Sequence, residues 1–226
     1  MNNTDLLLLT IYILCVTYVL YQIINSFNDE FTINLEKKDL EQQLDDLKLN
    51  DRVEISFKFD KRYEFDKLKD FGVNVKNKSK EHPVFVDWNM SSVTDLDGKA
   101  RRVTRLIAGN SLDLFQEQAL SPVPPGTTMK EKVVAEDMLA RKGDDGPMEV
   151  SKTLVDLTKP KKPGDPLKRY LDFVAMQRTL EISLSLMVRF VGDGSPATGY
   201  PIPINCKFVL TKLDWKAGLP WNPKED

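Results

Sequence analysis

Between Asn74 and Leu106 the chain reads NVKNKSKEHPVFVDWNMSSVTDLDGKARRVTRL. This stretch gathers the single histidine, His82, with Asp87, Asp95, Asp97, Arg101, Arg102 and Arg105. An imidazole base oriented by a carboxylate is the usual engine of serine or cysteine hydrolysis. His82, however, stands between Glu81 and Pro83 in turn-forming sequence, which predicts a solvated side chain rather than a catalytic one. One histidine and one cysteine outside the apolar N-terminal run, Cys206, fall short of an ordinary zinc set. The DLDG of Asp95–Gly98 could open a calcium loop, but the later Asp/Asn and distal Glu of such a loop are missing. A D-G pair between two strand-like runs is instead a hairpin signal.

The basic run Lys99, Arg101, Arg102 and Arg105 could contact phosphate, anionic lipid headgroups or a partner. On a strand, Arg101 and Arg105 share one face and Arg102 takes the other, so a continuous patch does not follow. Pairing with Asp87, Asp95 or Asp97 across a hairpin is the plainer expectation. Gly192, Gly194 and Gly199 lie in turn contexts with no following helix, so no phosphate loop is read. Trp88, Trp215 and Trp221 are expected to pack in the core and at edges. No catalytic, metal or cofactor-binding residue is assigned, and the expected role is non-enzymatic.

The elements that must position these residues alternate with period two. VEISFKF places Val53, Ile55, Phe57 and Phe59 on one face. FGVNV, PVFVDWNM, LEISLSLMVRF and INCKFVL repeat the pattern, and MKEKVV is read as a further strand. NKSKEHP, DLDGK and VGDGSP supply turns between them. The expected fold is mainly β: an antiparallel, immunoglobulin-like sandwich over residues 51–226. A long exposed loop is expected at about 142–166, where KGDDGP and KPKKPGDP occur.

Residues 1–30 read as a transmembrane anchor. Leu6–Ile24 is uncharged for 19 residues, about what a helix needs to cross a bilayer core. No basic n-region or small-residue cleavage site marks it as a removable signal. Residues 31–50 read as a helical stalk, with Asn34 able to cap it and Leu40, Leu44 and Leu47 on one face; the seven-residue spacing of Ile33, Leu40 and Leu47 also admits a short coiled coil. Lys37 and Lys38 follow the apolar run and no basic residue precedes it, so the β domain is expected on the cytoplasmic side.

A net charge of -2 over 226 residues, with all 32 basic residues after position 36, gives no electrostatic excess for nucleic acid. Two cysteines, one inside the apolar run, make no disulfide framework.

VKNKSKEHPVFVDW, DGKARRVTR and PVPPGTT, within residues 71–134, resemble a pattern in bacterial, notably cyanobacterial, membrane-anchored β-sandwich proteins of no assigned activity. More distantly, the strand–NKS–strand hairpin after a membrane segment is similar to the late-embryogenesis-type β-sandwich. The resemblance implies a fold and no active-site residue. The function expected is a membrane-anchored interaction or scaffold module, accessory to a membrane protein complex. The alternative is a histidine-independent enzyme or binding protein for a phosphorylated or glycan substrate.

Overall fold

The computed structural model describes residues 3–26, 29–106, 117–141, 148–192 and 195–218. The apolar run forms one helix, α1 (Asn3–Ser26), whose Thr4–Ile23 segment is long and apolar enough to cross a membrane. Its large side chains are exposed, so the core of the domain is built without it. Asp29 follows Ser26 by three residues, which span at most about 11 Å. The end of the domain that holds Asp29 is therefore the proximal end.

The domain is a curled antiparallel sheet. Its strands are β1 (Glu30–Leu35), β2 (Val53–Lys58), β3 (Tyr63–Glu64), β4 (Phe71–Asn77), β5 (Val84–Thr94), β6 (Ala100–Arg105), β7 (Ser121–Val123), β8 (Thr128–Ala135), β11 (Leu180–Phe190) and β12 (Tyr200–Lys212). Two further strands, β9 (Leu139–Arg141) and β10 (Met148–Val150), form a separate hairpin. The main order is β2-β4-β8-β6-β5-β11-β12-β1-β3, with β7 alongside β5. Alternation places one face of each long strand in the core: Leu180, Ile182, Leu184, Leu186, Val188 and Phe190 of β11 are all buried. Phe208 of β12 meets Phe57 at 4.8 Å and Phe71 at 5.9 Å between ring centres. Those rings come from strands far apart in the order, so the sheet must curl onto itself.

DLDGK is the hairpin expected. Asp95 Oδ1 accepts the backbone N–H groups of Asp97 and Lys99, and Gly98 takes φ +77°. NKSKEHP is not a hairpin. It joins β4 to β5, which are not neighbours, and so arches from one part of the sheet to another. The buried Asn77 side chain fixes the arch: its amide donates to the carbonyls of His82 and Val123, each at 2.9 Å, and its oxygen accepts from Ser79 N–H.

Residues 31–50 are not a continuous stalk helix. Phe31, Ile33 and Leu35 belong to β1, which pairs with β12 from Phe31↔Lys212 to Leu35↔Phe208. The helix is shorter, α2 (Lys37–Asp46), starts at Glu36 without a side-chain cap, and buries Leu40 and Leu44 on the domain; Leu47 stays exposed. Beyond β1 the outer edge of β12 is managed by other means. Pro201 and Pro203 carry no N–H, Asn205 N–H donates to Gln43 Oε1, and Lys207 C=O accepts from Glu36 N–H.

The segment expected to be a long exposed loop is packed over much of its length. Residues 142–147 lie outside the described residues. After them comes β10, and Leu154, Val155 and Leu157 are buried. Leu154 N–H donates to Leu68 C=O and Leu157 N–H to Phe65 C=O, so this segment docks on the β3–β4 connection. Residues 158–164 are mostly exposed and lead into α3 (Asp165–Val174), a helix absent from the sequence reading, which buries Phe173. Antiparallel registers sort the ends of the domain. The Asp95–Lys99 turn, α3, Leu180 and Lys212 lie at the proximal end; Asn77–Pro83 and the end of β11 lie at the far end.

Candidate functional site

The four basic residues of the central stretch do not form an open cationic surface. Lys99 Nζ lies 3.9 Å from Asp137, and Arg101 lies 3.6 Å from both Asp95 and Asp137 while donating to Leu154 C=O at 2.7 Å. Arg102 Nε is 3.1 Å from Glu136. Arg105 donates to Ser121 Oγ at 3.0 Å and stands 3.9 Å from Glu131. A turn of 3-10 helix, Glu136–Met138, supplies two of these carboxylates, Glu136 and Asp137, which take part in three of the ion pairs. Of the pairings expected within the stretch, only Arg101 with Asp95 forms; Asp97 pairs with Arg169 and Asp87 with Arg189. Asp87, Asp95 and Arg102 therefore sit in three separate ion-pair clusters and share no described cleft.

His82 contributes backbone to the arch: its carbonyl accepts from Asn77 and its N–H donates to Ser79 Oγ. Trp88 is fully buried and donates to Ser121 Oγ at 2.8 Å. Trp221 and Gly194 lie outside the described residues.

A cleft of about 960 Å³ lies elsewhere. It is bounded by β1 on one side and β2 on the other, with Leu40 and Leu44 of α2 beside them. Backbone alternation decides what these strands offer. Glu30 C=O accepts from Leu213 N–H and Glu36 N–H donates to Lys207 C=O, so the even residues of β1 bond to β12. Ile33 and Leu35 consequently turn their N–H and C=O groups outward. On β2, Arg52 C=O accepts from Lys78 N–H, so the even residues bond toward β4, and Ile55 and Phe57 turn outward. Among the described residues β3 covers only Glu30 and Phe31, and no strand covers the outer edge of β2. Two strand edges thus face one cleft with apolar walls from Ile33, Leu35, Phe57 and Phe59. Its rim carries Lys37, Lys61 and Lys78 together with Glu41, Glu54 and Asp60. Such a site can hydrogen-bond an extended chain and bury its alternate side chains.

Sequence reasoning missed the β1 half of this cleft. The signal was there: Phe31, Ile33 and Leu35 alternate with Glu30, Thr32 and Asn34.

The groups whose proton affinity is displaced do not line the cleft; Tyr63 touches its rim through the Asp60 N–H, which donates to Tyr63 Oη at 2.7 Å, and most lie at the proximal end. Burial raises the pKa of Asp29, with Lys212 acting against the rise. Burial lowers that of Lys212, opposed by Asp29, Asp214 and Glu30. Tyr63 and Tyr170 are raised by burial as well. These four surround the point where the chain enters the domain and make a desolvated polar knot there, not an acid–base pair aimed into a cleft. Among the described residues no cluster of His, Cys, Asp and Glu could hold a metal ion.

Compared with family models, with curated proteins and with solved structures, the chain matches none.

Proposed function

We propose that the chain is a single-pass membrane protein whose β domain is a non-enzymatic interaction module, an accessory or assembly subunit of a membrane protein complex. The observation that carries this reading is the cleft between β1 and β2, where Ile33, Leu35, Ile55 and Phe57 direct backbone groups outward beside apolar walls. The occupant is an extended segment of another protein of the same membrane, added as a strand. Anchoring is supported by α1, whose exposed apolar surface would find its natural solvent in a bilayer. The cytoplasmic side is favoured by Lys37 and Lys38 after the helix. The packing of Phe57 and Phe71 on Phe208 supports classing the curled sheet as an immunoglobulin-like sandwich.

The test places a photo-crosslinking amino acid at Glu54, on the rim, in full-length protein in native membranes. A discrete adduct is expected, and Ile55→Pro, which deletes one outward N–H, should abolish it. Equal adducts from Glu54 and from Lys80 at the far end, or an adduct indifferent to Ile55→Pro, would overturn the strand-addition reading. Anchoring is checked separately: the full-length protein should stay with membranes after a carbonate wash. Protease added to sealed vesicles of known sidedness should cut near Lys161 only from the cytoplasmic face.

A further inference from the structure

The domain enters from α1 at its proximal end, so whatever else lies at that end is held near the membrane surface. What lies there is α3. Phe65 N–H donates to Asp29 C=O at 2.9 Å, and the Phe65 ring contacts Tyr170 and Phe173 of α3 at 6.4 and 6.0 Å. Only two residues separate Ser26 from Asp29, so Asp29 stands within about 11 Å of the end of α1, and α3 follows it through Phe65.

The segment at this end that includes α3 is strongly basic. Residues 159–178 hold six basic residues, Lys159, Lys161, Lys162, Lys168, Arg169 and Arg178, against Asp165 and Asp172. Arg169 is committed to Asp97 and to Leu96 C=O. Lys161, Lys162, Lys168 and Arg178 are exposed and make no ion pair with a described residue. The basic residues of β6, by contrast, all have acidic partners.

Two apolar side chains stand among these cations. Leu171 is 51% exposed and Met176 is 55% exposed, although α3 already buries Phe173 on its inner face. Met176 occupies the residue after the helix C-cap with φ +56°, a left-handed position that normally goes to glycine. Met176 N–H donates to Phe173 C=O and Gln177 N–H to Asp172 C=O, the double bond pattern that terminates many helices. Glycine would make the same turn without strain. The methionine there adds an exposed apolar side chain at the tip of a basic helix.

We propose that α3 and the lysine-rich segment before it rest on the membrane surface. Lys161, Lys162, Lys168 and Arg178 contact anionic lipid headgroups, and Leu171 and Met176 reach beneath them. This rests on the anchored reading and extends it: the tether brings the helix to the bilayer, and the helix then fixes the tilt of the domain. Docking would hold the cleft between β1 and β2 at a set angle to neighbouring membrane proteins.

The test uses the full-length protein in vesicles of phosphatidylcholine, with or without added phosphatidylglycerol. A water-soluble acylating reagent is added and modification is read by mass spectrometry. The readout is the rate at Lys161, Lys162 and Lys168 relative to Lys80 at the far end of the same molecules. The ratio is expected to fall about threefold or more with the anionic lipid and to recover in high salt. Soluble glycerol phosphate added to neutral vesicles should not lower it. Leu171→Gln with Met176→Gln, both exposed and so compatible with folding, should restore part of the ratio. An unchanged ratio in protein that floats with the vesicles overturns the docking proposal alone. Protein that fails to float with either vesicle overturns the anchor itself.

Discussion

Arg189 grips Asp87 through two bonds to one carboxylate oxygen, from Nη2 at 2.7 Å and from Nε at 2.8 Å, and the aspartate side chain is only 5% exposed. The pair sits where β5 bulges. Asp87 opposes Met187 and Ser92 opposes Ser185, so the four residues Trp88–Ser91 face Leu186 alone. Local bonds fix the bulge: Asp87 Oδ1 accepts from Met90 N–H, Ser91 Oγ donates to Asp87 C=O, and Met187 N–H donates to Ser91 Oγ. Trp88 continues the buried alternation of Val84 and Val86, and the bulge then shifts the phase, leaving Met90 exposed and burying Ser91 and Val93.

Removing Arg189 leaves a buried carboxylate without its counter-charge. Arg189→Met is expected to cost about 3–5 kcal/mol. Adding Asp87→Asn to it should recover part of that loss, because the amide still accepts from Met90 N–H and carries no charge. Urea unfolding of the three variants in one detergent measures the coupling. Strictly additive losses would show that the pair contributes nothing as a pair.

The arch separates two residues that look alike in sequence. His82→Ala should change stability by less than about 0.5 kcal/mol, since only its backbone is used. Asn77→Ala orphans the carbonyls of His82 and Val123 together, and should cost about 1–3 kcal/mol or more. A histidine variant that lost activity while keeping its fold would point to a chemical role for the imidazole.

How much of this was legible follows from what each signal encodes. β2, β4, β11 and β12 alternate so regularly that no other element fits them. β1 carries the same alternation over six residues, but Ile33 also falls seven residues before Leu40. The helical pattern could be preferred because the deciding fact is tertiary: the edge of β12 stood open to a partner. α3 had its signals too, a proline at its start and Leu167, Tyr170 and Phe173 spaced by three, hidden in a stretch whose lysines and prolines read as loop. Leu154, Val155 and Leu157 are buried only because Leu68 and Phe65 receive them. NKSKEHP was visible as a turn, but a turn sequence does not say whether its two strands pair. The cleft was least legible, because its working groups are backbone groups, and no side-chain pattern marks an edge that is left unpaired.

Glycine substitutions test the turn geometry by contrast. Gly98 has φ +77° and open space where a Cβ would stand; Gly199 has φ +75°, but a Cβ there would come within 2.7 Å of the Phe190 backbone. Gly98→Ala should cost only the left-handed penalty of about 1 kcal/mol. Gly199→Ala must also push the ends of β11 and β12 apart, so it should cost clearly more, by about 1–3 kcal/mol. Equal losses in thermal or urea unfolding would mean that this end of the β11–β12 pair yields freely.

Cys206 gives the domain a defined response to alkali. Its thiol is fully buried between Ile204 and Phe208 on the core face of β12, and burial pushes its pKa from 9.0 up to about 12. The folded state therefore keeps the proton that the unfolded chain releases. The stabilisation is complete below pH 9 and is lost as the pH rises toward about 12. Within that window it falls by about 1.4 kcal/mol per pH unit, the full effect of one proton. Lysines and tyrosines titrate there too, so the comparison has to be with Cys206→Ala, which removes this group alone. The variant should be less stable at neutral pH, by roughly 1 kcal/mol for the small cavity. Its loss with pH above 9 should be shallower than that of the parent, so the gap between the two narrows and then reverses. Alkylation follows the same logic: native Cys206 should resist iodoacetamide at pH 8 and react only on unfolding. Parallel pH curves for parent and variant, or fast alkylation of the native thiol, would show that the strand opens around this residue.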